Sequence, residues 1–165
     1  MRAPTPERLQ FDGHCLIVLE RTLLAAAPQE GCALLLGEQH STTLHLQWIW
    51  PCRNIWQPAE ERPRRFSLDP REQLLAQRWS RERGLLVLGA AHSHPCSEAV
   101  PSQTDRHLCV GPTLMLIRSG WHSGAEAFRA WWMPELDGPH STATPPRELS
   151  IALATPAPRP GHLGE

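Results

Sequence analysis

The chain has 165 residues, of which 41% are hydrophobic, and these values fit one globular domain with one apolar core. Its 16 basic and 17 acidic residues give a net charge of -1, which excludes the basic excess typical of domains that bind nucleic acid or anionic membranes. No apolar run approaches the roughly 20 residues of a membrane-spanning helix, and the first residues lack the apolar segment of a secretory signal. We therefore expect a cytoplasmic protein that binds neither nucleic acid nor membrane.

The five cysteines are odd in number, scattered, and include no C-x-x-C pair. This spacing favours neither a disulfide framework nor a cysteine-based zinc site. We expect reduced, mostly buried thiols at Cys15, Cys32, Cys52, Cys96 and Cys109.

The N-terminal part of the chain predicts a strand, a helix and two further strands. Residues 9–11 favour a short strand, and Asp12 can cap a helix over residues 13–27, where apolar positions recur at helical spacing. The apolar run at 31–37, closed by glycine, predicts a buried strand. Alternation over 44–50 predicts a strand that pairs with it.

The middle of the chain predicts a loop, a helix and three strands. Prolines favour an exposed loop over 51–65, and a helix is predicted over 70–83 because proline suits its first turn and glycine follows its end. The compact apolar run at 85–91 predicts another buried strand. Two more strands are predicted at 113–118 and 125–133, separated by a glycine-containing turn.

The predicted loop contains a basic stretch formed by Arg62, Arg64 and Arg65. Such a stretch is either a solvated surface or a binding patch, and the sequence favours the solvated surface. Residues 155–165 are rich in proline and glycine, so we expect a disordered tail after a single domain that spans residues 1–154.

The segment HSHPCSEAVPSQTD, residues 92–105, follows directly on the predicted strand at 85–91. His92 and His94 stand two residues apart, and an extended backbone sends such residues to the same face, so both imidazoles can converge on one point. Catalytic zinc takes three nitrogen or oxygen ligands from the protein and keeps a fourth position for water. Two histidines therefore need one carboxylate.

Asp105 is the best candidate for the third ligand, because Pro101 and Ser102 predict a turn into a short helix that returns residue 105 toward the histidines. Glu98 is the alternative. It lies in the middle of the connecting loop, where no element fixes its direction.

Hydrolysis at such a site also needs a base for the attacking water. Glu30 fits this role, because it lies at the start of a predicted core strand, where a carboxylate is unexpected unless it is paired or functional. Ser102 is placed to donate a hydrogen bond to the oxyanion that forms. By themselves, Ser102 and Asp105 fit a helix capping box better than a site, and each histidine alone fits an ordinary half-buried residue.

The joint pattern is far more specific than its parts. H-x-H-P, six residues and S-x-x-D after an upstream glutamate resemble the signature of the JAMM, or MPN-plus, zinc metalloproteases of the compact prokaryotic type. The likeness extends to PQEGCALLLG at 28–37, to Asn54, and to RFSLDP at 65–70. LMLIRSG and AFRAWW resemble the strands after the site, so the resemblance covers about residues 9–132.

The resemblance implies an α/β fold, with a mixed β-sheet core flanked by helices, of the cytidine-deaminase-like kind. It implies that His92, His94 and Asp105 bind Zn2+, that Glu30 activates water, and that Ser102 stabilises the transition state. It also implies hydrolysis of the peptide or isopeptide bond after the C-terminal glycine of a ubiquitin-like protein. Compact prokaryotic relatives act on sulfur-carrier proteins that end in Gly-Gly. The chain lacks room for the long insertions that grip polyubiquitin in some relatives, so we do not expect that substrate.

Two other function classes compete with this one. A non-catalytic MPN scaffold binds partners through the same fold, but such relatives usually lack metal ligands that this chain keeps. A nucleobase deaminase needs H-x-E followed by P-C-x-x-C, and Pro95 with Cys96 offers only the first cysteine. Cys96 is either a residue that tunes or poisons the metal or a passive loop residue, and the sequence favours the passive loop residue.

Overall fold

The computed structural model describes residues 2–135 and 144–154, so the tail expected at 155–165 lies outside the described residues. Seven strands and three α-helices are β1 (Arg8–Asp12), α1 (Gly13–Leu24), β2 (Cys32–His40), β3 (Thr43–Cys52), α2 (Pro70–Glu82), β4 (Leu86–His94), α3 (Gln103–Leu108), β5 (Thr113–Ser119), β6 (Phe128–Met133) and β7 (Arg147–Ala154). Short 3-10 helices span Ala59–Glu61 and Gly124–Ala127. Within the described ranges, no helix has the length and apolar content needed to cross a membrane.

All seven strands form one closed, mixed sheet in the order β1-β3-β2-β4-β5-β6-β7, and β7 pairs back with β1. β1 runs parallel to β3 and β7, and β4 runs parallel to β5, while the other pairs are antiparallel. The predicted α/β fold, a mixed sheet flanked by helices, is confirmed. Its closure was not predicted, because β7 has only one buried residue, Leu149, and joins β1 across almost the whole chain.

Helix α1 covers the inner face of the sheet. The Asp12 side chain caps it by accepting a hydrogen bond from the Cys15 amide at 2.8 Å, and its buried residues Cys15, Leu19 and Leu23 join the main core. The predicted extension of this helix to residue 27 is wrong, since it ends at Leu24. Gly31 then packs on the end of this helix so tightly that a Cβ there would lie 2.6 Å from the Leu23 carbonyl oxygen.

Helix α2 covers the outer face. Its N-cap is Asp69, whose carboxylate accepts from the Arg71 amide at 2.9 Å, and Pro70 occupies its first turn. Its fully buried Ala76 packs with Leu34 and Leu36 of β2.

One strand prediction near the C-terminal end also needs correction. Residues 125–127 form a 3-10 helix rather than the start of a strand. Gly124 adopts φ +65 and makes a tight turn, and pairing with β5 begins only at Phe128, opposite Arg118.

Gly37 lies at a bulge of β2, where a Cβ would come within 1.9 Å of the His45 carbonyl oxygen. We expect Gly37→Ala to lower the free energy of unfolding by about 3 kcal/mol, because the clashing atom is backbone and strand β3 must shift. Urea denaturation measures this change. Gly13→Ala is the matched control, since a Cβ at Gly13 meets nothing within 4 Å, and it should leave stability unchanged or slightly higher.

Candidate metal centre

The end of β4 and the first turn of α3 bring three side chains to one point. His92 Nε2 lies 3.0 Å from Asp105 Oδ2 and 3.1 Å from His94 Nε2, which itself lies 3.1 Å from the same oxygen. A tetrahedral zinc ion with bonds of about 2.0–2.1 Å needs ligand atoms roughly 3.3 Å apart. The nearly equilateral triangle therefore fits one face of a zinc coordination sphere, and the three residues form a group able to hold a metal ion.

The two imidazoles are oriented by different means. His94 Nδ1 donates to the Glu98 carbonyl oxygen at 2.8 Å, so its Nε2 lone pair faces the centre. His92 is completely buried, its Nδ1 has no partner in the described residues, and its ring stacks on Phe66 with centroids 4.3 Å apart. Burial lowers the pKa of the His92 imidazole, which favours the neutral form that binds metals. Packing therefore orients one ligand and a hydrogen bond orients the other.

Asp105 reaches the centre because of a helix cap. The Ser102 hydroxyl accepts from the Asp105 amide at 3.0 Å, and Asp105 Oδ2 accepts from the Ser102 amide at 2.9 Å. Burial tends to raise the pKa of the Asp105 carboxyl, but the charges and hydrogen bonds of the two histidines outweigh it and hold that pKa well below its usual range. The hydrogen bonds that cap α3 thus also hold the Asp105 carboxylate in the ligand position. The lowered pKa keeps this carboxylate ionised.

Glu98, the alternative third ligand, lies outside the triangle. Its exposed carboxylate contacts His122, with Oε2 3.1 Å from Nε2, and it serves the centre only through its backbone carbonyl. Cys96 is exposed and does not belong to the metal-binding group.

Glu30 lies beside the triangle, with Oε1 4.0 Å from His94 Nε2. Its side chain is buried, and Oε2 has no hydrogen-bond partner among the described residues. Burial raises the pKa of Glu30 to about 8, while His94 opposes the rise and the Asp105 charge adds to it. A carboxyl group with this pKa can take up and release a proton near neutral pH.

Three neighbours fix Glu30 relative to the histidines. Gly31 and Ser93 exchange two hydrogen bonds, from the Gly31 amide to Ser93 Oγ at 2.8 Å and from the Ser93 amide to the Gly31 carbonyl at 3.0 Å. Asn54 Nδ2 donates to the Glu30 carbonyl at 3.0 Å, and the Glu30 amide donates to the Arg62 carbonyl at 2.8 Å. The register of two strands and one loop therefore sets the distance between base and ligands.

The sequence did not indicate the roles of Phe66, Ser93 and Asn54. Asn54 and Phe66 lie in segments quoted for the resemblance, but only the path of the loop brings Phe66 over His92 and Asn54 under Glu30. Ser93 stands between the two histidines, and its contact with Gly31 depends on the pairing of distant strands.

A groove of about 750 Å³ runs along the outer face to His92 and Asp105. Its walls come from β2, β4, β5, α2, α3 and the loops before α2 and before β5, and they are mostly apolar. The apolar residues that line it include Leu34, Trp56, Phe66, Val87, Leu108 and Met115.

The sequence matches a family model described as prokaryotic homologs of the JAB domain, over residues 15–134. The chain belongs to this family. The predicted resemblance to JAMM and MPN proteins of the compact prokaryotic type is confirmed, and this JAB domain carries a His-His-Asp group that can bind a metal ion. No curated protein matches the sequence.

Two solved structures resemble this JAB domain along nearly its whole length. One is the solution structure of a protein from Desulfitobacterium hafniense, with TM-score 0.73 and 27% sequence identity, covering 88% of this chain and 92% of the other. The second is the solution structure of a protein from Salinibacter ruber, with TM-score 0.60 and 26% sequence identity, covering 89% of this chain and 92% of the other. The JAB fold described above is therefore shared with these bacterial proteins.

Proposed function

We propose that the protein is a zinc-dependent peptidase that hydrolyses the amide bond after the C-terminal glycine of a small ubiquitin-like or sulfur-carrier protein. One observation carries this proposal: the Glu30 carboxylate lies 4.0 Å from His94 Nε2, beside a ligand triangle that fits zinc. A non-catalytic scaffold has no need for an isolated buried carboxylate at that distance, because burying it costs stability.

The side chains have separate tasks in the proposed reaction. When bound at His92, His94 and Asp105, zinc supplies Lewis-acid chemistry, which makes water nucleophilic near neutral pH and polarises a carbonyl. Glu30 in its ionised form accepts a proton from the attacking water and delivers it to the leaving amine. The Ser102 hydroxyl accepts from the Asp105 amide, so its own proton is free to stabilise the carbonyl oxygen as negative charge develops.

The shape of the site supports a glycine-ended substrate. Glu30, His94 and Asp105 are only 3%, 5% and 7% exposed, so a bulky chain cannot approach them. Glycine has no side chain and lets a backbone come close, while the apolar groove suits the residues that precede it. We also propose a cytoplasmic location, since all five cysteines are free, as a reducing compartment keeps them.

The direct test uses a ubiquitin-like carrier that has a few residues added after its Gly-Gly. We expect zinc-loaded protein to release the added residues and leave a product that ends in Gly-Gly, as measured by intact mass. Chelator should stop the reaction, and added zinc should restore it. Replacing the last glycine of the carrier by valine provides the control and should block cleavage. A folded, zinc-loaded protein that leaves extended carriers intact would favour the scaffold function instead.

A further inference from the structure

A second, smaller hollow of about 340 Å³ opens next to Ser102. All the residues around it are polar or charged, and they are Glu61, Arg64, Arg65, Ser102, Gln103 and Thr104. The hollow adjoins the metal centre, because the Ser102 amide donates to Asp105 Oδ2, the oxygen at the corner of the ligand triangle. Its chemistry differs from that of the apolar groove on the outer face.

The charges around this hollow are unbalanced. Throughout residues 2–135 and 144–154, neither Arg64 nor Arg65 forms an ion pair, whereas Arg118 and Arg129 each pair with a glutamate at 2.9 and 2.8 Å. The acidic residue at the hollow, Glu61, accepts a hydrogen bond from Trp56 Nε1 at 2.8 Å. Two exposed arginines and one carboxylate that is already engaged therefore line the hollow, which favours an anionic ligand.

The loop that carries these arginines is held in place. Asn54 Nδ2 donates to the Arg65 carbonyl at 2.8 Å, and Asn54 Oδ1 accepts from the Trp56 and Ser67 amides at 3.1 and 3.2 Å. The Arg65 guanidinium lies over the Trp56 ring, 5.4 Å from its centroid. A cation fixed in this way loses less conformational entropy on binding an anion than a free surface arginine does.

We propose that Arg64 and Arg65 bind the α-carboxylate of the residue that leaves during hydrolysis. This inference rests on the proposed function and makes it more specific. Hydrolysis breaks the C–N bond after glycine, the hydroxyl of water joins the glycine carbonyl carbon, and a proton joins the leaving amine. The leaving residue then keeps its free carboxylate in the hollow, while the apolar groove holds the carrier side.

The proposal specifies which leaving segments the site accepts. Because the hollow adjoins Ser102, a carboxylate bound there belongs to a residue close after the scissile bond, so we expect the enzyme to favour short C-terminal extensions with a free carboxyl end. An isopeptide bond to a lysine side chain within a folded protein presents no such carboxylate, and we expect it to be a poor substrate. The basic stretch, for which the sequence favoured a solvated surface, becomes a binding patch.

The binding test compares two probes, acetyl-Gly-Gly-Ala and its C-terminal amide, with zinc-loaded protein that carries Glu30→Gln to prevent turnover. We expect the acid to bind at least about tenfold more tightly than the amide and to shift the arginine Nε–H resonances of Arg64 and Arg65 in NMR spectra. The preference should vanish in Arg64→Gln/Arg65→Gln. It should persist in Arg21→Gln, which changes an exposed arginine on α1. Equal binding of the two probes overturns the proposal.

The activity test compares carriers that end in Gly-Gly-Ala with the same carriers amidated at the C-terminus. We expect kcat/KM to favour the free acid by at least about tenfold in the natural protein and to be equal in Arg64→Gln/Arg65→Gln. Acid-selective binding without cleavage of either carrier would support the carboxylate site and reject the peptidase. Cleavage of both carriers at one rate would support the peptidase and reject the carboxylate site. The carboxylate site is also rejected if the effect of the arginine substitutions depends on acidic side chains of the carrier and not on its C-terminal carboxylate.

Discussion

Glu30→Gln is expected to reduce cleavage of an extended carrier by about 10²- to 10⁴-fold and to leave bound zinc unchanged. Glutamine has the shape of glutamate but cannot accept the proton of the attacking water. The metal ligands are the other three residues, and Glu30 lies 4.0 Å from His94 Nε2 without taking part in the triangle. Steady-state kinetics measures the rate, and elemental analysis measures the zinc.

The same substitution should not unfold the protein, since an ionised carboxylate is unfavourable in this buried position, where burial raises the pKa of Glu30 to about 8. Glu38→Gln is the matched control, because Glu38 lies on β2, the strand that follows Glu30, and its carboxylate contacts the exposed side chain of His40. This variant should cleave at the natural rate. Cleavage by a folded Glu30→Gln protein at the natural rate would falsify the role of Glu30 as base.

Asp105→Ala is expected to weaken zinc binding by about 100-fold or more and to abolish cleavage. Loss of a residue that only orients a metal ligand already lowers metal affinity by about 10- to 100-fold. Here a ligand itself is lost. Zinc should raise the melting temperature of the natural protein, because it binds only the folded state, and this rise should disappear in Asp105→Ala. Competition with a chromophoric chelator measures the affinity.

Two further variants separate the ligand from the helix cap. Asp105→Asn keeps an oxygen that can accept from the Ser102 amide, so α3 should persist while zinc affinity falls. Glu98→Ala removes the alternative carboxylate, which contacts His122, and should bind zinc normally. Loss of zinc in Glu98→Ala together with normal binding in Asp105→Ala would show that the wrong acid has been assigned.

Local geometry explains why much of the site could be predicted from the sequence. His92 and His94 need only an extended backbone to share a face, and Asp105 needs only the capping turn that begins at Ser102. The role of Glu30 was harder to predict, because Glu30 lies 62 positions before His92, and its assignment depended on its position and on the family resemblance.

The remaining features depend on contacts between distant segments, which composition and periodicity do not encode. The stacking of Phe66 on His92 and the arginine-lined hollow both result from the way Asn54 folds one loop over the site. The closing strand β7 was missed for the same reason, since its pairing with β1 joins the two ends of the described chain.

The closure of the sheet has a practical consequence for anyone who trims the protein. The residues matched by the family model, 15–134, omit both β1 and β7. A fragment cut to those limits exposes unpaired backbone along β3 and β6, which are the partners that β1 and β7 normally cover. Open edges of this kind recruit strands from other molecules, so such a fragment is prone to self-association and insolubility during expression. A useful fragment therefore keeps all of β1 and β7, from Arg8 to Ala154.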